Sequence, residues 1–182
     1  MIKKGVARII GGQWRSRLIG IPKGEKIRPT PNRVRETLFN WLGQDLTGTA
    51  CLDLFAGSGA LGFEAASRGA EVVIMVEKDV AAMRCLQASA TSLAADKVSL
   101  VHRDATAFLA YDQNLYDVIF VDPPFDSDLL SAVLPLLPVR LNPQGCVYVE
   151  NRGKLVANDP WIIWKQGRAG NVHYCLLKLA NE

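Results

Sequence analysis

Asp122-Pro123-Pro124-Phe125 follows directly on an apolar run, Tyr116 to Val121, that reads as a strand. Each proline fixes its own φ and keeps the preceding residue out of the helical region, so the turn is stiff. The proline nitrogens bring no competing donor to the turn's carbonyls. Such a turn suits an exocyclic amine of a nucleic-acid base, a poor nucleophile because its lone pair is delocalised into the ring. The Asp122 carboxylate and the Pro123 carbonyl can each accept one N–H, aim the nitrogen, and stabilise positive charge as it develops. Phe125 can stack on the face of the base.

A second cluster lies upstream. Cys51-Leu52-Asp53-Leu54-Phe55 is a short apolar strand, and it runs into Ala56-Gly57-Ser58-Gly59-Ala60-Leu61-Gly62. Gly57, Gly59 and Gly62 fit the G-x-G-x-x-G spacing, in which bare backbone turns tightly and approaches a ligand closely. The next apolar run, Val72 to Val76, ends in Glu77, placed to accept bonds from ribose hydroxyls. Together these read as a site for an adenosine cofactor. Two residues favour S-adenosyl-L-methionine over a dinucleotide. A carboxylate at Asp53 suits an ammonium and would repel a pyrophosphate. Asp104, after the third strand, is placed to meet an adenine amine.

Those residues need a scaffold, and from residue 50 onward the chain supplies one. Apolar runs at 51–55, 72–76, 98–102, 116–121 and 146–150 alternate with helical stretches at 61–68, 79–93, 105–111 and 127–137. This rhythm predicts an α/β fold with a parallel sheet, helices on both faces and right-handed crossovers. The strand before the glycine loop and the strand before Asp122 are then neighbours at the switch point, where ligands bind. Residues 161–166 and 171–179, joined by Gly167-Arg168-Ala169-Gly170, predict a closing hairpin and hence an antiparallel strand.

Upstream of residue 50 the chain differs. Residues 6–21 alternate around Gly11-Gly12 and predict a small β-hairpin arm. Pro29-Thr30-Pro31-Asn32 offers caps for a helix through about Gly43, with Val34, Thr37, Leu38, Trp41 and Leu42 on its inner face and Arg33, Arg35 and Glu36 mostly elsewhere. We divide the chain into a basic arm, 1–28, and a domain with a leading helix, 29–182.

Charge supports that division. Residues 1–40 carry ten basic and two acidic side chains, a net +8, which leaves −5 for the rest of a chain whose total is +3. An arm this basic is expected to touch a polyanion. Trp14 lies in the arm, able to stack on a base or to pack the arm inward. Arg33 and Arg35 lie close to the helix's inner face and are expected to meet phosphate or the cofactor edge. The 182 residues suffice for a core without disulfides. The four cysteines are widely spaced, with no C-x-x-C pair and none on a candidate active-site loop, so neither a metal site nor cysteine chemistry is expected. No apolar run approaches the roughly 20 residues of a membrane span, and no secretory signal is apparent, so a cytoplasmic monomer is expected.

Val121-Asp-Pro-Pro-Phe125 resembles the D-P-P-[FY] motif of amino-group methyltransferases acting on nucleic-acid bases. Arg8-Ile-Ile-Gly-Gly-Gln-Trp-Arg-Ser-Arg-Leu-Ile19 and Arg28-Pro-Thr-Pro-Asn-Arg-Val-Arg-Glu-Thr-Leu-Phe-Asn-Trp-Leu42 resemble the bacterial small-subunit ribosomal RNA guanine-N2 methyltransferase family, RsmD-like. The resemblance covers nearly the whole chain and weakens after about residue 150. It implies a Rossmann-like S-adenosylmethionine-dependent fold: a seven-stranded, mostly parallel sheet with an antiparallel last strand. Gly57, Ser58 and Gly59 would line the cofactor loop, Glu77 would bind ribose, and Asp104 with Ala105 would hold adenine. Asp122, Pro123 and Phe125 would hold the target, implied to be guanine 966 of 16S ribosomal RNA, free or in the assembling small subunit. Arg28, Thr30, Arg33 and Arg35 would sit near the RNA or the pocket mouth, with Arg8, Trp14, Arg15 and Arg17 gripping RNA from the arm.

The residues alone leave three other readings. The turn also permits an adenine-N6 methyltransferase of DNA or RNA, though little of the chain is left for a separate target-recognition region. A non-catalytic assembly factor of the same fold would not need Glu77 and Asp122. A nicotinamide-dependent oxidoreductase would leave Asp-Pro-Pro-Phe unexplained.

Overall fold

A computed structural model of the protein describes residues 5–22, 30–125 and 127–180. Interior strands form where apolar, β-branched residues run without interruption. The strands β3 (Ala50–Asp53), β4 (Val72–Glu77), β5 (Val98–His102), β6 (Tyr116–Val121), β7 (Leu141–Asn151), β8 (Trp161–Ala169) and β9 (Val172–Leu179) build one sheet, in the order β5-β4-β3-β6-β7-β9-β8. The pairs from β5 to β7 are parallel, and β9 runs antiparallel to both β7 and β8. The sequence expectation of seven strands with an antiparallel final strand is met.

Both faces are covered, and β6 shows how. Val118 and Phe120 point into one core, with Phe39, Phe63 and Leu86 from the helices α1 (Asn32–Leu42), α2 (Ala60–Ser67) and α3 (Val80–Leu93). Ile119 and Val121 point into the other, with Phe108, Leu109 and Val133 from α4 (Ala105–Tyr111) and α5 (Leu129–Val133). The helix expected over 127–137 is largely replaced. Only α5 is α-helical, and two 3₁₀ turns, Leu134–Leu136 and Pro138–Arg140, follow it. Pro135 and Pro138 lack the N–H that an α-helix would require there.

The expected arm is a two-stranded antiparallel hairpin of β1 (Val6–Arg8) and β2 (Leu18–Gly20). It docks tightly on α2. Gly12 has φ +74°, and a Cβ there would sit 1.8 Å from the Ser67 carbonyl oxygen, so only glycine permits this approach. Gln13 N–H donates to that carbonyl at 2.7 Å, and Trp14 N–H donates to Ser67 Oγ at 2.9 Å. Trp14 is 7 % exposed and belongs to the same core as Phe39 and Phe63. Of the two roles open to it, the structure gives the packing one.

One carboxylate locks the arm, α1 and α2 together. Glu64 is fully buried. It accepts the N–H groups of Ile10 at 2.8 Å and Gly11 at 2.7 Å, and pairs with Arg35 at 3.2 Å and Arg68 at 2.9 Å. Val34 and Leu38 are buried on the inner face of α1 and Trp41 and Leu42 pack against the same core, as expected, but Arg35 and Phe39 are buried there as well. Arg35 goes inward because an anion waits there. It also donates to the Arg8 carbonyl and to Asn32 Oδ1, both at 2.8 Å. The expected side-chain cap is absent: Pro31 occupies the N-cap position and the Asn32 side chain serves Arg35 instead.

Glu64→Gln should cost about 3–5 kcal/mol in chemical denaturation, because it leaves two guanidinium groups buried without their anion. A loss below about 1 kcal/mol, as for a surface pair, would show that Glu64 does not hold these elements.

Candidate active site

β3 lies between β4 and β6 and is parallel to both, so the loops leaving β3 and β6 open side by side at one edge of the sheet. Leu54 N–H donates to the Phe120 carbonyl and Ala56 N–H to the Val76 carbonyl, both at 3.0 Å. The glycine loop is thus stitched to both neighbours. Gly57 and Gly59 have φ of +53° and +77°. A Cβ on Gly59, which caps α2, would lie 2.6 Å from the Phe63 ring and 2.7 Å from Leu86. Ser58 between them is buried.

Three acids surround this loop. Asp53 is buried, and its Oδ2 accepts Gly62 N–H at 3.0 Å. Burial pushes its carboxyl up to about 7, with the Glu77 charge adding to the effect and the Gly62 N–H opposing it. Glu77 accepts Gly57 N–H at 2.8 Å through one oxygen and Asp79 N–H at 2.7 Å through the other. Asp104 caps α4, its Oδ1 accepting the Thr106 hydroxyl at 2.7 Å and the Thr106 N–H at 3.0 Å. The Thr106 hydroxyl holds that carboxyl below the usual range. Ala105 follows, buried at the start of α4. Carboxylates at the ends of β3, β4 and β5 are the donor-hungry set that an ammonium, two ribose hydroxyls and an adenine amine would fill.

Asp122 begins the turn after β6 and is half-buried. Burial first, then the charges of Glu150 and Asp53, raise its carboxyl well above the usual range. Glu150 lies in the neighbouring strand β7, one residue before its end, and is itself buried. Thr30 connects the two: its hydroxyl donates to Glu150 Oε1 at 2.7 Å and lies 3.4 Å from Asp122 Oδ2. Tyr148 O–H donates to the same Glu150 oxygen at 2.9 Å. Pro123 is buried beside Asp122. Phe125 carries the Arg152 guanidinium over its ring, 5.3 Å from the centroid, so it already serves as a stacking platform for a planar cation.

The residues expected at RNA separate into two groups. Arg8, Arg15, Arg17 and Arg33 are exposed, and the Arg17 guanidinium donates to the Ser92 carbonyl at the end of α3. Arg35 and Trp14 are buried, Arg35 against Glu64 and Trp14 in the core, rather than on the exposed face of the arm. Thr30 is 5 % exposed and lies beside Asp122 and Glu150, at the pocket side of the two places open to it. Arg28 lies outside the described residues. Sequence reasoning missed Glu64, Tyr148 and Glu150. Glu150 had a signal, since it closes an apolar run as Glu77 does. Glu64 had none, because a charged residue within a helix reads as surface.

The described cysteines are free, and burial pushes the thiols of Cys51, Cys146 and Cys175 up to about 12, which leaves them protonated and inert. Among the described residues no group of three or more His, Cys, Asp or Glu is placed to hold a metal ion, and no helix is long and apolar enough to cross a membrane.

The model of a protein family described as Conserved hypothetical protein 95 matches residues 7–178. Ribosomal RNA small subunit methyltransferase D of Escherichia coli K12 is 41 % identical over 177 residues, spanning 94 % of this chain and 89 % of the relative. The protein of that name from Haemophilus influenzae is 38 % identical over 181 residues, spanning 95 % and 94 %. The solved structure of yhhF from Escherichia coli superposes with a TM-score of 0.87 at 39 % identity, covering 98 % of this chain and all of that one. The chain belongs to the Conserved hypothetical protein 95 family, the family that includes bacterial ribosomal RNA small subunit methyltransferase D.

Proposed function

We propose that this protein transfers a methyl group from S-adenosyl-L-methionine to the exocyclic N2 amine of guanine 966 in 16S ribosomal RNA. The observation that carries the reading is the stiff Asp122-Pro-Pro-Phe turn opening beside the glycine loop at the switch point of the sheet. The relatives' name, ribosomal RNA small subunit methyltransferase D, supplies the substrate class. The exposed arginines on the arm, Arg8, Arg15 and Arg17, suit RNA phosphates.

The residues divide the work. Gly57, Ser58 and Gly59 bring bare backbone to the cofactor, Glu77 takes its ribose, Asp104 and Ala105 take its adenine, and Asp53 takes its ammonium. When bound, S-adenosyl-L-methionine supplies a methyl carbon already activated by a positively charged sulfur. Asp122 and the Pro123 carbonyl accept the two N–H groups of the amine and aim its lone pair. Phe125 stacks on the base that the RNA swings out. Positioning of two bound partners supplies much of the rate. The arm holds phosphates while the pocket handles one base. We also propose a cytoplasmic monomer, with the arm ending near residue 28 and the domain beginning at 29.

The test is methyl transfer from radiolabelled S-adenosyl-L-methionine to small-subunit rRNA from a strain lacking this protein, as naked RNA and as assembled subunits. Label is expected in N2-methylguanine, and Asp122→Ala should lower the rate by about 10²–10³-fold or more while cofactor affinity stays near the wild-type value. Label in adenine would keep the pocket and overturn the target. Failure to bind the cofactor would favour a non-catalytic assembly role. Arg15→Ala and Arg17→Ala should each reduce the slope of log affinity against log salt by about 1 in filter binding, whereas Trp14→Phe should leave it unchanged. Gly59→Ala should abolish cofactor binding in calorimetry, because a Cβ at that positive φ has no room.

A further inference from the structure

The pocket wall holds a polar chain that methyl positioning does not require. Thr30, Asp122 and Glu150 arrive from three places: the segment before α1, the end of β6 and the end of β7. Thr30 has one hydroxyl proton, and at 2.7 Å it goes to Glu150 Oε1. Toward Asp122 Oδ2, 3.4 Å away, Thr30 can then offer only a lone pair. That contact is attractive when Asp122 carries a proton. The groups are ordered for a hand-over: Asp122, Thr30, Glu150.

The surrounding charges favour one proton on this pair. Asp122 faces the charges of Glu150 and of Asp53 from β3. Glu150 faces the hydroxyls of Thr30 and Tyr148, and Tyr148 in turn faces Tyr174 of β9. Burial pushes both carboxyls up, against the two hydroxyls at Glu150. Two close carboxylates, Glu150 buried and Asp122 half-buried, resist ionising together.

We infer that Thr30 and Glu150 are positioning residues for proton release, through which the proton shed by the methylated amine passes from Asp122 to Glu150. This rests on the amine-methylation reading above. A nitrogen that has gained a methyl carries one proton in excess. Its N–H bond breaks, the electron pair stays on nitrogen, and Asp122 takes the proton. The Asp122 O–H then passes to Thr30 Oγ1 as the Thr30 proton moves to Glu150 Oε1. Asp122 is restored as an acceptor, and the net change is one proton on Glu150. A proton already on the pair blocks this path, so the rate should rise as pH rises through the raised titration of the pair.

Two measurements test this on T30S, T30V, E150Q and the unmodified protein. Infrared spectra of the protein alone, with ¹³C-labelled aspartate or glutamate, follow the protonated-carboxyl stretch against pH. The unmodified protein and T30S should keep one protonated carboxyl well above the ordinary range. E150Q should move that titration down, since the neighbouring charge is gone, and T30V should shift the stretch frequency. Steady-state methyl transfer across pH should then fall roughly a hundredfold in T30V and E150Q with RNA affinity retained, and T30S should restore the rate. In E150Q the rise in rate with pH should also begin lower. Ordinary titration of both carboxyls, or T30V matching T30S in rate and pH profile, would overturn the inference. If the unmodified protein methylates no rRNA, the substrate reading fails, and the infrared titration decides the shared proton alone.

Discussion

Glu64 is the constraint on which the architecture hangs. A carboxylate in a core is costly unless every lone pair is used and its charge is met. Here two backbone amides and two guanidinium groups do both. Those donors come from the arm, α1 and the last turn of α2, so satisfying one anion fixes three elements. All eight residues of α2 are buried, which leaves this helix little freedom to adjust. Its N-terminus is Gly59, so the helix that anchors the arm also sets the cofactor loop. Glu64 is thus a bond between the basic arm and the glycine loop.

The pocket and the arm carry opposite signs, and this divides the labour. Asp53, Glu77, Asp122 and Glu150 stand at the carboxyl ends of four neighbouring strands, β3, β4, β6 and β7. Phosphate is repelled from such a rim, while a cationic ligand or an amine is drawn to it. The exposed Arg8, Arg15 and Arg17 lie on the arm. The arm's charge thus favours a polyanion, and the rim of acids disfavours one.

Much of this was legible in the sequence, because strand periodicity and stiff turns are local. The run Val118-Ile119-Phe120-Val121 announces an interior strand, and the prolines after it announce where the chain must stop and turn. The glycine loop and Glu77 were legible for the same reason. What escaped were choices made by distant partners. Arg35 and Glu64 each look like solvent-facing residues, and only their meeting in space makes burial cheap. Trp14 has no local clue that separates stacking on RNA from packing on Phe39 and Phe63. Thr30 and Glu150 are 120 residues apart, and their hydrogen bond exists only once β7 lies beside β6.

The place of β9 has a consequence for how the chain is made. It is the final strand in sequence but lies between β7 and β8. Until residues 172–179 have left the ribosome, β7 and β8 have no partner between them, and each shows an open edge. Completing the sheet is a late, non-local event, slow by the logic of loop closure. During that interval the growing chain is most exposed to wrong pairing. Glu150 stands on β7, opposite Tyr174 of β9, so the pocket wall itself is finished only when this last piece is inserted.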